Sequence, residues 1–163
     1  MEYGVEVELI WCDSYVLELR LRLRSASFGA TVDVYVTEAE VLEIASNLQG
    51  FPRTPADTRQ VEIGRFGAEW AGGGASLRFF CADLSGHSFV DGTIESGEAR
   101  AGVVESCRIL VPIEGAAVDK FVQELRSIPD QSRVWRGGST SAKARLYPRL
   151  PSTEELLRED QSR

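Results

Sequence analysis

The chain is poor in the side chains that make and break bonds. One histidine, His87, and three cysteines, Cys12, Cys81 and Cys107, occur in 163 residues. No C-x-x-C pair, H-E-x-x-H, G-x-S-x-G or G-x-x-x-x-G-K-[ST] is present. Those absences remove the usual signatures of zinc hydrolases, serine hydrolases and P-loop enzymes. An odd number of unclustered cysteines argues against a disulfide framework and for reduced thiols, so a cytoplasmic protein is expected. No apolar run nears the roughly 18 residues that cross a bilayer. The opening residues, Met1 to Gly4, lack the basic flank and apolar stretch of a signal peptide. No membrane association, metal or cofactor is expected.

What is present is ordinary globular material. A length of 163 residues, 43% of them apolar and 26% charged, fits one domain with a real core. The net charge of -7 is unevenly spread: residues 1–130 carry 21 acids and 11 bases, residues 131–163 carry 4 acids and 7 bases. An acidic body repels phosphate backbones, so nucleic-acid binding by the body is not expected. It attracts a basic protein partner. Solubility alone is the other reading of that charge.

Hydrophobic periodicity supplies the fold class. Val5, Val7, Leu9 and Trp11 alternate with Glu6, Glu8 and Ile10; Leu17, Leu19, Leu21 and Leu23 alternate with charged residues; and Val32, Val34 and Val36 alternate with Asp33 and Tyr35. A period of two with one wet face reads as three antiparallel strands. At Thr37 the period changes. Thr37 and Glu40 form a capping-box pattern ahead of Val41, Ile44, Ala45 and Leu48, so a helix follows and ends near Gly50 and Pro52. Further strands are expected around Val61–Ile63, Leu77–Ala82, Phe89–Ile94 and Val103–Ile113. A second amphipathic helix carrying Val118, Phe121, Val122 and Leu125 is expected to stop at Pro129.

The expected fold is α+β: about seven strands in mainly antiparallel sheet and two helices, in the order βββα-ββββα. The two strand–helix passages superpose at an offset of 77, with Val32, Val34 and Val36 falling on Ile109, Val111 and Ile113, and Phe51-Pro52 on Ile128-Pro129. An internal repeat accounts for this; so does the shared periodicity of any strand–helix pair. Residues 1–132 form the expected domain. Residues 133–163 read as a basic linker and a short C-terminal helix opened by Ser152 and Glu155.

Few residues invite a functional reading. His87 lies between Asp83 and Asp91, which would suit a general base oriented by a carboxylate, or simply a solvated turn. Arg20, Arg22 and Arg24 share one strand face, spaced about 7 Å apart, and either grip an acidic partner or pair across strands with Glu6 and Asp33. A turn at residues 12–14 would set Glu6 opposite Arg20. Trp70, beside the flexible-looking Gly72-Gly73-Gly74, and Trp135, at the head of the basic tail, are either interface anchors or lids on the core.

Several stretches look familiar together. They are Leu17 to Leu23, Asp33-Val34-Tyr35-Val36 with the helix to Leu48 and Gly50-Phe51-Pro52, Gly74 to Cys81 with Gly86-His87, and Phe121 to Leu125. Over about residues 3–130 they resemble a family of small bacterial proteins from high-GC organisms, a domain of unknown function. The strand–helix–Phe-Pro organisation is also similar to that of WapI-type immunity proteins, which neutralise contact-delivered toxins. That resemblance implies a small acidic binder that plugs a toxin, often a basic nuclease; it assigns no functional residue. The leading expectation is therefore a non-enzymatic protein-binding domain, immunity-like in action. The alternatives are a small-molecule binder or enzyme around His87, Asp83 and Asp91, and a homo-oligomeric module joined through residues 133–163.

Overall fold

The computed structural model describes residues 3–97, 102–134 and 142–147. The fold is α+β. Its strands are β1 (Gly4–Cys12), β2 (Leu17–Arg24), β3 (Gly29–Val36), β4 (Thr58–Gly64), β5 (Gly74–Cys81), β6 (Ser88–Glu95), β7 (Ser106–Ile113) and β8 (Lys143–Leu146). Helix α1 (Glu38–Leu48) follows β3, and helix α2 (Gly115–Ser132) follows β7. The strands form two antiparallel sheets of four, in the orders β3-β2-β1-β8 (sheet A) and β4-β5-β6-β7 (sheet B).

The apolar alternation explains the layering. Val5, Val7 and Leu9 of β1, the four leucines of β2 and Val32, Val34 and Val36 of β3 all point into one core. Sheet B answers with Val61, Ile63, Leu77, Phe79, Val90, Ile94, Ile109 and Val111. Helix α1 packs on α2 and β4, while α2 packs on β8 and β1. The Thr37 hydroxyl accepts from the Glu40 amide at 3.2 Å while the Glu40 carboxylate accepts from the Thr37 amide at 2.7 Å. This reciprocal cap satisfies two amides that the first turn of α1 would otherwise strand.

The two halves share one plan. Each runs three strands, a helix and a final strand: β1β2β3α1β4 and β5β6β7α2β8. In each half the first three strands build one sheet, and the last crosses to the edge of the other half's sheet. β3 and β7, and likewise the starts of α1 and α2, are separated by the offset of 77 read from the sequence. Gln49, at the C-terminal cap of α1, and Arg126, within α2, are equivalent at that offset, and the Arg126 guanidinium donates to the Gln49 side-chain oxygen at 2.6 Å.

Four local expectations need correction. The eight strands of the described residues agree with the roughly seven expected, but β8 falls inside the segment read as a linker. Its four residues, Lys143-Ala144-Arg145-Leu146, alternate too briefly to stand out from the basic run, yet Ala144 and Leu146 are buried against α2 and β1. Residues 143–146 are thus part of the body. Helix α2 does not stop at Pro129 but runs to Ser132, because Ile128 and Pro129 are both buried there. That burial offsets a helix penalty of about 3 kcal/mol. Gly74 opens β5 rather than a flexible connection, since an added Cβ would come within 2.7 Å of the Arg65 carbonyl. Glu6 faces Arg22, not Arg20: the turn spans Asp13–Val16, and the register slips between Leu9 and Trp11.

Candidate functional site: an acidic aromatic groove beside β3

Strand β3 is the edge of sheet A, and the β4–β5 connection crosses it. The Gly73 amide donates to the Asp33 carbonyl at 3.0 Å. Glycine makes the crossing feasible: a Cβ on Gly72 would sit 2.6 Å from the Tyr35 ring. The crossing divides the surface along β3 into two adjoining cavities of about 490 and 290 Å³ that share Tyr35, Ala71 and Gly72.

Aromatic and acidic groups define this groove. Trp70, 49% exposed, and Tyr35, 41% exposed, line the smaller cavity with Val16 and Arg65. The larger one adds Val103, 68% exposed, with Glu18, Asp33 and Glu105. Arg65 is neutralised by Glu40 at 2.7 Å, and Asp33 by Arg20 through bonds of 2.7 and 2.8 Å. Glu18 is met by the Tyr35 hydroxyl, which donates to it at 3.2 Å. The nearby Glu18 charge pushes the Tyr35 phenol above its ordinary pKa, helped by partial burial. No cation among the described residues pairs with Glu18 or Glu105. The smaller cavity is mainly apolar, and the larger one mixes apolar groups with carboxylates.

The other sequence candidates fall elsewhere. His87 and Asp83 are brought together, Nδ1 against a carboxylate oxygen, at the exposed β5–β6 turn. That hydrogen bond, first among several, holds the Asp83 carboxyl below its usual range. Asp91 does not join them. It lies within β6, 8% exposed, gripped by Arg108 at 2.7 and 2.6 Å and by Arg78 at 3.1 Å. Hydrogen bonding from Arg108, then from Arg78, keeps its carboxyl low against the opposing effect of burial. None of the cavities along sheet A is lined by these three residues.

Arg20 pairs with Asp33, and Arg22 bridges Glu6 and Glu8, the second at 2.6 Å. Both belong to a cross-strand charge network. Arg24 does not share in it. Trp135 lies outside the described residues. The three cysteines are free and half-buried. Cys12 closes β1, and burial, with Asp13 and Glu38 nearby, raises its thiol pKa. Among the described residues no three His, Cys, Asp or Glu side chains gather as a metal site would require. No helix there is long and apolar enough to cross a membrane.

Of the residues lining the groove, Trp70 is singled out by the sequence, whereas Tyr35, Glu18, Val103 and Glu105 are not. Tyr35 carried a usable signal, being an aromatic on the polar side of an alternating strand. Val103 and Glu105 reach the groove only through the fold. A scan against family models found no match, and comparisons with curated proteins and with solved structures found none either.

Proposed function

We propose that the chain is a non-enzymatic protein-binding domain that holds a basic partner in the groove beside β3 and acts by occluding that partner. The observation that carries this reading is the pairing of exposed Trp70 and Tyr35 with two carboxylates, Glu18 and Glu105, neither of which forms an ion pair with a described cation, Arg20 acting on Glu18 only at longer range. Half-exposed aromatics supply contact area and anchor interfaces. Acids without a direct ion pair steer a basic partner in and fix its orientation. An arginine or lysine stem lying over the Trp70 indole would add about 0.5–1 kcal/mol at an exposed site.

The resemblance to immunity proteins agrees with this chemistry, and so does the acidic body. In that setting the partner is a basic toxin domain and the setting is cytoplasmic. The reading built on His87, Asp83 and Asp91 has less support, because the arginines already occupy both Asp91 oxygens.

The test is affinity capture from the native host with three baits: wild type, Trp70→Ala and Glu105→Lys. We expect one basic protein on the wild-type bait, reduced about ten-fold or more on either variant, equivalent to 1.4 kcal/mol or more. Raising salt from 0.05 to ~0.5 M should release it, since exposed charges are then screened within a few Å. A partner held equally by all three baits, or no partner at all, overturns the proposal.

A further inference from the structure

The outward face of sheet A carries a lattice of paired charges among its arginines and lysine, with Arg24 outside it. Arg20 is answered by Asp33, Arg22 by Glu6 and Glu8, Lys143 by Glu8 at 3.0 Å, and Arg145 by Glu6 at 2.7 Å. Arg24, next along β2 on the same face, has no hydrogen-bond or ion-pair partner among the described residues. Its cross-strand neighbours are Gly29 on β3 and Gly4 on β1. Where the other rows place a carboxylate, this row places glycine on both sides.

On the Gly4 side this row leaves a notch, while over Gly29 the space is taken by the Arg24 side chain, whose Cγ and a terminal nitrogen would lie 3.4 and 3.5 Å from an added Cβ. The notch is part of a cavity of about 440 Å³, lined by Arg22, Arg24 and Arg145 with Glu6, and by Tyr3 and Tyr147. Glu6 is shared between Arg22 and Arg145, and Arg22 is met by Glu8 as well, which leaves Arg24 as the lining guanidinium with no ion-pair partner among the described residues. A cavity of this size lies within the roughly 300–1,000 Å³ that small-molecule sites occupy. Guanidinium offers paired N–H donors that match the oxygens of a carboxylate or phosphate. Tyrosine rings offer flat apolar walls.

We infer that this notch binds a small organic anion, a phosphate or carboxylate carried on a flat ring, with the anionic group on Arg24 and the ring against Tyr3 and Tyr147. The site shares no lining residue with the groove beside β3 and stands whether or not that groove binds a protein.

Calorimetric titration of the full chain with phenyl phosphate, benzoate and inorganic phosphate tests it. At least one ring-bearing anion should bind about ten-fold or more tighter than inorganic phosphate, a gain of 1.4 kcal/mol or more. Whichever of the two binds tighter identifies the preferred anionic group. Arg24→Gln should weaken that binding about ten-fold or more. Gly29→Asp, which places a carboxylate opposite Arg24, should do the same by neutralising the guanidinium. Arg20→Gln should leave it unchanged. The inference is overturned if neither ring-bearing anion binds, if inorganic phosphate binds as well as both, if Arg24→Gln binds like wild type, or if Arg20→Gln weakens binding equally.

Discussion

Asp91 shows how one residue's surroundings set its contribution. Its carboxylate is nearly excluded from water and held by two guanidiniums, so it ionises more readily in the fold than in the unfolded chain. A folded pKa below the unfolded value of about 3.9 means that the stabilisation is complete above that pH and is lost as pH falls through the folded pKa. Asp91→Asn should therefore destabilise the protein at pH 7, with the difference from wild type shrinking as pH drops below about 4. Urea unfolding at several pH values checks this. Gly64 is constrained in a different way. It has φ +79, and an added Cβ would lie 2.8 Å from the Val34 side chain. Gly64→Ala combines left-handed strain with overpacking and should cost about 2–4 kcal/mol in the same assay. The inward alternation at this scale was plain in the sequence. The partner of each outward charge was not, because a four-residue turn and a bulge moved Glu6 from Arg20 to Arg22.

Among the elements, long periodic runs were legible and short ones were not. β2, with four leucines against alternating charge, and α1, with its capping box, could be drawn from the sequence within a residue or two. β8 could not. Four residues hold too few periods to mark a strand, and its burial depends on α2 and β1, far away in the chain. Its weight in the core is nonetheless real. Leu146 is 1% exposed, and Leu146→Ala should cost about 2–5 kcal/mol, read as a lower unfolding midpoint with an unchanged denaturant slope. Gly72-Gly73-Gly74 misled for a related reason. Glycine signals both freedom and close approach, and here Tyr35, Val32 and Arg65 crowd the backbone.

Considered whole, the molecule is two similar halves, each lending its last strand to the other's sheet. Strand order was not in the sequence pattern, since periodicity says which face is buried and not which edge is paired. The groove beside β3 was hidden for the same reason: it draws on β2, β3, the β4–β5 connection and the β6–β7 connection. Ending the chain after Ser132 should leave β1 with a bare edge and strip cover from Val5 and Val7. Such a truncation should lower the unfolding temperature and promote self-association, measured by calorimetry and light scattering.

The reciprocal loan of strands also orders events in time. The ribosome delivers β1, β2 and β3 early, yet the neighbour that completes their sheet, β8, pairs with β1 across more than a hundred intervening residues. Until Lys143–Leu146 has been translated, the nascent N-terminal sheet has an unclaimed flank, and a chaperone able to shield it would find its substrate there.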